Sequence, residues 1–437
     1  MPRKCRVGSP PHRPHERSGM PKFFGAALLA LALLTASPTS TAAQESAHSG
    51  QIPGRYIVTL NDTATRGDTE MDAAVDEAVE QAATMGAVVH HVYRYALHGY
   101  AASMTPNAAA TLADDPQLSV QPDRWVHATA QTVPTGVRRS KADLSSTAAI
   151  DGKDTRVNAD VAVIDTGVNL NHPDLNVYRA GGKNCTMPLL APEDLHGHGT
   201  HVAGIIGALD NGTGVVGMAP GARIWPVQVL NALGIGSTSD VICGIDYVTE
   251  HADQIEVANM SLGGEGTDDG NCGMTNGDAE HRAICDSVAK GVTYTVAAAN
   301  DHADAKNITP AAYDEVITVS ALADFDGKPG GLGRPTCRSD QDDTFADFSN
   351  YGADVDLIAP GVCILSTFRN GGYATLSGTS MAAPHVAGGA ALYRATHPNA
   401  SPQEVKAALQ AAGSDDWTWP SQDGDATKER LLKVSSF

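Results

Sequence analysis

Residues 160–167 read Asp-Val-Ala-Val-Ile-Asp-Thr-Gly, and this stretch indicates the architecture of the larger part of the chain. Its apolar run, 161–164, has no polar interruption, which is typical of a strand buried on both faces of a sheet. Comparable runs recur at 223–229, 257–260, 292–298 and 316–319. Segments with helical spacing lie between or after them, at 200–209, 237–250, 280–290, 380–396 and 402–412. Strands that alternate with helices predict an α/β fold of three layers, with a mainly parallel sheet covered on both faces.

A smaller unit precedes this pattern, at residues 52–127. Strands are predicted at 54–60, 88–95 and 118–120, and helices at 70–85 and 106–112. This order is compatible with a small α+β sandwich of the ferredoxin-like type. The chain of 437 residues is long enough for both units.

The segment 20–43 has the composition of a signal peptide. Lys22 supplies a positive charge, 23–34 are apolar and rich in Ala and Leu, and 41–43 are small residues suited to cleavage. The apolar run is shorter than the roughly 20 residues that a membrane span needs. The sequence therefore predicts translation from Met20, export, and a secreted, extracellular protein without a membrane anchor.

The composition limits the partners of the protein. The formal net charge is −20, and such an acidic surface argues against nucleic acid or an anionic membrane as a partner. A surface of this kind keeps a secreted protein soluble.

Six of the seven cysteines follow the leader, and no C-x-x-C pair occurs, which argues against a zinc ribbon or a thioredoxin-type site. An even number is compatible with three disulfides in an oxidising compartment. Two pairs flank loops, and the third remains by elimination: Cys272 with Cys285, Cys337 with Cys363, and Cys185 with Cys243. Other connectivities stay open, because spacing alone does not fix the pairing.

Three short patterns carry residues suited to catalysis. Asp165 ends the first buried strand, His198 lies in the Gly-rich run 196–204, and Ser380 lies in Gly-Thr-Ser-Met-Ala-Ala-Pro at 378–384. The carboxyl end of a parallel strand is where an α/β sheet places its functional residues. A serine hydroxyl needs a base to take its proton, and a helix N-terminus favours a developing oxyanion.

Together, the three patterns resemble those of the subtilase family of serine proteases, over about residues 130–413. The resemblance implies that Ser380 is the nucleophile, His198 the general base, and Asp165 the carboxylate that orients the imidazole. It also implies that Asn300, in Ala-Ala-Ala-Asn at 297–300, donates its amide to the oxyanion. The family usually has Gly just before this Asn, whereas this chain has Ala299.

The resemblance further implies how a peptide substrate binds. An extended peptide would pair between two backbone segments, with main-chain hydrogen bonds giving affinity and side-chain pockets giving preference. The residues implied are Ser261, Leu262 and Gly263 on one side, Gly234 and Gly236 on the other, and Ala297 and Ala299 as walls of the primary pocket. We expect a small or apolar residue before the scissile bond, because no acidic residue clearly falls where a preference for basic residues would need one.

A structural Ca²⁺ site is implied in the same way. Side-chain oxygens of Gln131, Asp174 and Asn211 would join the backbone carbonyls of Leu209, Thr213 and Val215. Oxygen ligands of this kind and number suit Ca²⁺. The alternative is a Gly-rich turn without an ion.

The resemblance divides the chain into three parts. Residues 1–43 would be the signal peptide, 44–129 an inhibitory propeptide of the inhibitor I9 type, and 130–437 the peptidase domain. The propeptide would act as an intramolecular inhibitor until self-cleavage near Thr129. We expect a monomer that acts on protein or peptide substrates.

Three rival interpretations remain to be tested. A metallohydrolase would use the spacing H-x-H-x-x-H at His196, His198 and His201, but it leaves Ser380 unexplained. An α/β-hydrolase would need a G-x-S-x-G elbow, which does not surround Ser380, and a different order of residues. A secreted binding protein without activity would usually lack one of the four catalytic residues.

Overall fold

The computed structural model describes residues 51–61, 68–124, 131–418, 423–425 and 427–437. The chain divides into two compact units, 1–127 and 128–437. The predicted signal peptide and the predicted cleavage region near Thr129 lie outside the described residues.

The first unit is an antiparallel four-stranded sheet with two helices. The elements are β1 Gln51–Leu60, α1 Asp68–Thr84, β2 Val88–Tyr93, β3 Gly99–Ser103, α2 Pro106–Ala113 and β4 Leu118–Arg124. The strand order is β2-β3-β1-β4. This is the small α+β architecture that the sequence predicted.

One strand of this unit was missed in the sequence, and its neighbour was predicted two residues too long. β3 lies between β1 and β2 and pairs antiparallel with both. Its run Gly-Tyr-Ala-Ala-Ser shows no alternation of polar and apolar residues, which is why pattern reasoning did not find it. Tyr100 and Ala102 of this strand are nevertheless fully buried in the core of the unit, beside Val58.

The second unit is built on one large sheet and two small strand pairs. The strands are β5 Asp160–Asp165, β6 Lys183–Asn184, β7 Arg223–Gln228, β8 Val257–Met260, β9 Gly264–Glu265, β10 Thr293–Ala297, β11 Ile308–Thr309, β12 Ile317–Ala323, β13 Thr344–Phe345, β14 Leu357–Pro360, β15 Ile364–Phe368, β16 Gly372–Leu376 and β17 Arg430–Leu431. The large sheet has the order β17-β14-β12-β10-β8-β5-β7-β6. All of these pairings are parallel, and β13 joins β12 antiparallel. The antiparallel pairs β9 with β11 and β15 with β16 lie outside this sheet.

Helices pack on both faces of this sheet. They are α3 Thr135–Arg139, α4 His198–Gly207, α5 Thr238–Glu250, α6 Ala279–Ala289, α7 Thr379–Thr396 and α8 Pro402–Ala412. Short 3₁₀ turns occur at Ala142–Leu144, Arg179–Gly181, Ala305–Asn307 and Arg369–Gly371. α8 begins as its sequence predicts, because Ser401 accepts the backbone N–H of Glu404 and Glu404 bonds back to Ser401.

Strand β5 shows how the sequence creates three layers. Its four central residues are fully buried, and alternate side chains point to opposite faces of the sheet. Val161 and Val163 belong to the core that includes α4 and α7. Ala162 and Ile164 belong to the core that includes α5 and α6. A polar residue anywhere in this run would enter a core, so the unbroken apolar pattern follows from the architecture.

A buried cluster of charges anchors the short helix α3. Arg139 is 1% exposed, and its guanidinium lies 3.0 Å from Asp324, 2.8 Å from Asp343 and 3.1 Å from Asp416. These carboxylates come from segments distant in sequence. A buried charge needs such partners because its desolvation is costly.

Three disulfides join the six cysteines in the pairs that the sequence suggested: Cys185–Cys243, Cys272–Cys285 and Cys337–Cys363. Within the residues that the structure describes, there is no helix whose length and hydropathy would allow it to cross a membrane.

Candidate active site

The core of the candidate site is a hydrogen-bonded pair, Asp165 and His198. Nδ1 of His198 lies 2.8 Å from Oδ1 and 2.9 Å from Oδ2 of Asp165. Asp165 is 0% exposed, at the carboxyl end of β5, and it also accepts the backbone N–H of Thr166. Because the carboxylate only accepts hydrogen bonds, Nδ1 carries the proton and Nε2 is left to act as a base.

The local sequence explains how the two elements approach each other. Gly199, in the first turn of α4, lies against the end of β5. A Cβ at this position would lie 2.1 Å from the carbonyl of Gly167 and 3.2 Å from the Asp165 side chain. Only glycine fits, so the Gly-rich run around His198 is a packing requirement of the site.

Charge at the site sets the protonation of His198. Burial lowers the pKa of His198, but the charge and hydrogen bond of Asp165 raise it more, and the charge of Asp194 adds to this. The net result is a raised pKa. The imidazolium form of His198 is therefore stabilised relative to a free histidine.

Asp194 was not predicted from the sequence, although it organises the loop before His198. It is 2% exposed. Its Oδ1 accepts the N–H groups of His196 and Gly197, and its Oδ2 accepts the N–H and the hydroxyl of Thr200. The sequence offered no specific signal for this role, because the N-cap position of α4 is Gly197 and Asp194 lies three residues before it in the loop.

Ser380 lies in the first turn of α7, just after Gly378. Its hydroxyl donates a long hydrogen bond of 3.4 Å to the carbonyl of Ser261, and its own carbonyl accepts the Ser261 hydroxyl at 2.9 Å. Among the described residues, no hydrogen bond joins the Ser380 hydroxyl to His198. The serine is thus held beside the 261–263 segment, with its hydroxyl weakly bonded.

Asn300 is positioned against the same helix start. Its Oδ1 accepts the N–H of Thr379 at 2.9 Å and the Thr379 hydroxyl at 3.1 Å, which leaves Nδ2 free to donate elsewhere. A Cβ on Gly378 would lie 3.6 Å from Oδ1 of Asn300, 3.6 Å from the backbone N of Ser380 and 3.8 Å from Nδ2 of Asn300. The space that glycine leaves open is therefore bordered by two N–H donors as well as by the Asn300 oxygen, and one of these donors lies at a helix N-terminus.

Two adjoining cavities flank these residues and share the segment 261–263. One is about 380 Å³ in volume and includes Ser380, Asn300, Ala297, Ala299 and Ile308 in its lining. The other is about 430 Å³ in volume, and its lining includes His198, Gly234 and Gly236 together with the exposed side chains of Leu233 and Ile235. The structure thus brings all seven of the implied substrate-binding residues to these two cavities.

Two acidic residues in the smaller cavity were missed in the sequence. Glu265 and Asp301 both line it, and both are exposed. Among the described residues, neither carboxylate forms an ion pair with a lysine, arginine or histidine. The signal was adjacency, because Glu265 follows Gly264 directly and Asp301 follows Asn300.

Ala299 has a backbone conformation that favours glycine. Its φ angle is 80°, in the left-handed region, which costs a residue with a Cβ about 1–2 kcal/mol. Ala299 also lines the smaller cavity. This residue therefore narrows the cavity at some expense of stability.

The three histidines of the rival metallohydrolase interpretation do not form a metal site. His201 is 0% exposed, and its Nε2 contacts the carbonyls of Ile364 and Ala374, each at 3.0 Å. Burial lowers the pKa of His201 to about 4. Groups of described residues that bring three ligand atoms within 4.8 Å of one another lie elsewhere and do not include these imidazoles.

The residues implied for Ca²⁺ binding lie together in one cluster. Nε2 of Gln131 contacts the carbonyls of Leu209 and Val215, at 2.5 and 3.2 Å. Asp174 is 1% exposed, and its Oδ1 accepts the Asn211 amide at 3.1 Å. Its Oδ2 accepts the N–H of Val215 at 3.0 Å.

Burial raises the pKa of Asp174 to about 6, although hydrogen bonds from Val215, Tyr373 and Asn211 oppose this. The Asn211 side-chain oxygen accepts the N–H and hydroxyl of Thr213. The carboxylate of Asp174 accepts N–H and O–H donors, and Gln131 directs its amide nitrogen at the carbonyls of Leu209 and Val215. The cluster contains the oxygen-bearing groups that Ca²⁺ prefers, and among the described residues no cationic side chain binds Asp174. The amides of Gln131 and Asn211 would have to turn for their oxygens to act as ligands.

Serine hydrolases use an aspartate–histidine pair together with a serine and amide donors for the oxyanion, and the residues described above include each of these groups. Comparison with known proteins identifies the family within this class. The subtilase family matches residues 157–428, and the peptidase inhibitor I9 family matches residues 55–129. The chain belongs to the subtilase family of serine proteinases.

Several relatives agree with this assignment. An extracellular serine proteinase of Thermus sp. (strain Rt41A) is 34% identical over 419 residues, which cover 90% of this chain and 94% of that protein. Subtilisin E of Bacillus subtilis (strain 168) is 32% identical over 397 residues, with the same coverage of 90% and 94%. The crystal structure of a cold adapted subtilisin-like serine proteinase superposes with a TM-score of 0.55 at 32% identity, covering 69% of this chain and 98% of that chain. The chain is thus a subtilisin-type serine protease with an I9 propeptide, which implies a zymogen.

Proposed function

We propose that the protein is a secreted endopeptidase that cleaves peptide bonds through an acyl-enzyme on Ser380. The observation that carries this proposal is the pair of short hydrogen bonds between Asp165 and Nδ1 of His198, at 2.8 and 2.9 Å. This pair provides a base whose free nitrogen, Nε2, belongs to a side chain lining the larger cavity.

In the first step, the Ser380 hydroxyl turns from the carbonyl of Ser261 toward His198. Its 3.4 Å bond is longer than an ordinary hydrogen bond, so little is lost in this rotation. Nε2 of His198 takes the proton while Oγ of Ser380 bonds to the substrate carbonyl carbon. Asp165 stabilises the imidazolium that forms.

The developing oxyanion binds in the space beside Gly378. The Asn300 amide and the backbone N–H of Ser380 border this space. Because Thr379 holds the Asn300 side chain through its oxygen, the amide is oriented before the substrate arrives, so little reorganisation is needed.

Breakdown of the tetrahedral intermediate completes the cycle. The C–N bond breaks, and His198 gives its proton to the leaving amine. Water then attacks the acyl-enzyme, with His198 again as base, which releases the acid product and restores Ser380.

We propose that the substrate lies as an extended strand between 261–263 and 234–236. Gly263 is exposed, and a side chain there would press on Ile308 and Thr309. A glycine at this position leaves the main chain accessible to pair with a substrate strand. The walls formed by Ala297 and Ala299 leave room for the side chain before the scissile bond.

The domain boundaries also belong to the proposal. Residues 1–43 are the signal peptide, 44–129 the inhibitory propeptide and 130–437 the peptidase domain, released by self-cleavage near Thr129. The match of the I9 family to residues 55–129 and the split of the chain into compact units after His127 support this division. The mature enzyme acts as a monomer outside the cell.

A structural Ca²⁺ ion is part of the proposal. Gln131, Asp174 and Asn211 would hold it with the carbonyls of the 209–215 loop. A bound dication would neutralise the buried carboxylate of Asp174 and tie the segment at 131 to this loop. At about 100 times its dissociation constant, such an ion would stabilise the fold by about 2.7 kcal/mol.

The proposed reaction is tested by expressing the precursor and its Ser380→Ala variant with the leader. Processing is followed by N-terminal sequencing, and activity by casein hydrolysis. We expect the parent to be released into the medium, cut near residue 129 and active, and the variant to be released uncut and inactive.

The matched control is Ser377→Ala, which removes a hydroxyl three residues before the nucleophile and should mature normally. Normal maturation of the Ser380→Ala variant would contradict the proposal. Retention of the parent inside the cell would contradict the secretion part alone.

The calcium part is tested with Asp174→Asn in the Ser380→Ala background. We expect Ca²⁺ to raise the melting temperature of the parent and to leave that of Asp174→Asn unchanged. Asp246→Asn, on an exposed position of α5, is the charge-matched control and should respond to Ca²⁺ as the parent does. An equal response of Asp174→Asn would overturn this ligand set.

A further inference from the structure

A buried imidazole outside the active site, that of His281, has one nitrogen without a hydrogen bond to any of the described residues. His281 lies in the first turn of α6 and is 0% exposed, and the nitrogen without a partner in this part of the chain is Nδ1. Its Nε2 lies 2.8 Å from Oε2 of Glu315, and its ring stacks on Tyr313 with centroids 4.0 Å apart and planes 3° apart. The ring is therefore fixed in position, with Nδ1 aimed in one direction.

Nδ1 of His281 faces two carboxylates. It lies 3.5 Å from Oδ1 of Asp268 and 3.6 Å from Oδ1 of Asp269. Both separations exceed the roughly 2.7–3.2 Å of an N–H···O bond. A neutral ring, with its proton on Nε2 toward Glu315, would point its Nδ1 lone pair at two anions. A doubly protonated ring would be attracted to them but would make no good hydrogen bond.

These separations fit a cation held between the three atoms. In tetrahedral coordination with metal–ligand distances of about 2.0–2.1 Å, neighbouring ligand atoms lie about 3.4 Å apart. The three ligand atoms also lie within 4.8 Å of one another. We propose that Nδ1 of His281 and the Oδ1 atoms of Asp268 and Asp269 form a binding site for a divalent transition-metal ion of the Zn²⁺ type.

The carboxylates are held in place without the ion. Oδ1 of Asp268 accepts the N–H of Gly270 at 2.6 Å. The carboxylate of Asp269 accepts four backbone N–H groups of its own loop, two on each oxygen. The carboxylates are therefore already in place, but Oδ1 of Asp269 would exchange one of its two N–H bonds for the metal.

Glu315 completes the arrangement as an outer partner. Histidines that ligate a metal almost always bond through their other nitrogen to a carboxylate or carbonyl, which fixes the tautomer and makes the ligating nitrogen more basic. Glu315 makes this contact with Nε2 of His281. This leaves the Nδ1 lone pair available as a ligand.

The ligand chemistry selects the class of ion. Imidazole nitrogen suits Zn²⁺ and its neighbours in the first transition row, whereas Ca²⁺ takes oxygen ligands. The Asp268 side chain is 17% exposed, which gives the ion an entry path and allows water to fill a fourth position. The nearby Cys272 and Cys285 are joined in a disulfide and supply no thiolate.

The site would tie the loop 266–278 to α6. This loop begins directly after β9, and Glu265 of β9 lines the smaller cavity of the active site. Metal binding would therefore stiffen one edge of that cavity. The site itself does not depend on the proposed catalytic reaction.

The test uses the full-length Ser380→Ala precursor, so that self-digestion does not interfere. The protein is treated with a chelator, exchanged into metal-free buffer and titrated with ZnCl₂ by calorimetry, and bound zinc is counted by mass spectrometry after gel filtration. The same titration is made with His281→Gln and with His397→Gln, which changes an exposed histidine and serves as the matched control.

We expect one tight equivalent of zinc in the parent and in His397→Gln, and its loss in His281→Gln. Glu315→Gln should retain the site with affinity about 10–100-fold weaker. Absence of a tight equivalent in the parent, or equal binding by parent and His281→Gln, would overturn the proposal.

A second measurement covers the case in which His281→Gln does not fold. Co²⁺ bound by the parent should give the intense visible absorption of a tetrahedral site, and Asp268→Asn, which alters a partly exposed ligand, should weaken its binding. A spectrum equal to that of hydrated Co²⁺ in the parent would also overturn the proposal.

Discussion

The replacement Asp165→Asn tests the role of the buried carboxylate. The side chain keeps its shape but loses its charge, and its amide nitrogen cannot accept the Nδ1 proton of His198. One of the contacts at 2.8 and 2.9 Å is lost, because only the amide oxygen of the variant can still accept the N–H of Nδ1. At an effective dielectric constant of about 20, a unit charge about 4 Å away stabilises the imidazolium by about 4 kcal/mol. Since each 1.4 kcal/mol is about tenfold in rate, kcat should fall about a thousand-fold.

The pH dependence should change in a defined direction. Asp165 raises the pKa of His198, and catalysis needs the neutral imidazole, so activity of the parent falls as the pH drops through that pKa. Without the carboxylate charge, the pKa of His198 falls. The acid limb of the kcat/KM profile should therefore move to lower pH, while the plateau is reduced.

The assay measures kcat/KM across the acid and neutral range with a peptide anilide substrate. Because the variant would mature slowly, both proteins are processed with a trace of tagged parent enzyme, which is then removed. Asp246→Asn, the exposed control on α5, should match the parent at every pH. A rate within about tenfold of the parent for Asp165→Asn, or an acid limb that moves upward, would show that the carboxylate charge does not act in this way.

Four further changes test other features of the structure, with stability measured in the inactive nucleophile variant. Ala299→Gly should raise the free energy of unfolding by up to about 1 kcal/mol, since it relieves a φ of 80°, and should raise the relative kcat/KM for large residues before the scissile bond. Glu265→Gln should lower the ratio of kcat/KM for Lys over Leu at that position about fivefold, because a charge about 4 Å away contributes about 1 kcal/mol in water. Arg139→Met should lower the free energy of unfolding by about 3–5 kcal/mol, because it leaves buried carboxylates unpaired, whereas Arg156→Met, at a side chain that is 48% exposed, should cost less than about 1 kcal/mol. Burial raises the pKa of Glu429 to about 8 from about 4.3 in the unfolded chain, so folding takes up a proton and the free energy of unfolding falls by about 1.4 kcal/mol per pH unit between about pH 5 and 8. Glu429→Gln should remove this fall.

Each of these changes has an outcome that contradicts its physical basis. A fall in the free energy of unfolding in Ala299→Gly would show that the strain at this residue is smaller than the entropy cost of glycine. An unchanged ratio of kcat/KM for Lys over Leu would show that the charge of Glu265 does not act on the residue before the scissile bond. Equal effects of the two arginine changes would contradict the importance of the buried ion cluster. Parallel stability curves for Glu429→Gln and its parent from about pH 5 to 8 would show that Glu429 ionises normally.

The sequence predicted those strands of the large sheet well that are marked by a short run of apolar residues. The run 161–164 lies on the strand found in the structure, and the predicted helices agree within a few residues, because an unbroken apolar run between helical segments has few other arrangements. The strand 99–103 was missed because its buried residues are mostly small and do not alternate. β14 and the hairpin of β15 and β16 were missed as well, because they are short and follow irregular segments.

Those residues of the candidate site were predictable that lie within a short sequence motif of their own. The segments around Asp165, His198 and Ser380 each have such a motif, and resemblance to a family supplied the rest. The location of Glu265 in the cavity was not predicted, because it depends on the pairing of β9 with β11. The site around His281 was not predictable, because its residues come from a loop, a helix start and a third segment that only folding brings together.

The proposed mechanism rests on a single serine side chain acting as the nucleophile. A fluorophosphonate applied to the mature enzyme tests this, with the intact mass determined and the modified residue located by peptide sequencing in the mass spectrometer. We expect one phosphonyl group per chain, on Oγ of Ser380, with casein hydrolysis lost in proportion. An enzyme that loses casein hydrolysis to the reagent while Ser380 remains unmodified, or that carries the label on another residue, would contradict the assignment of Ser380 as the nucleophile.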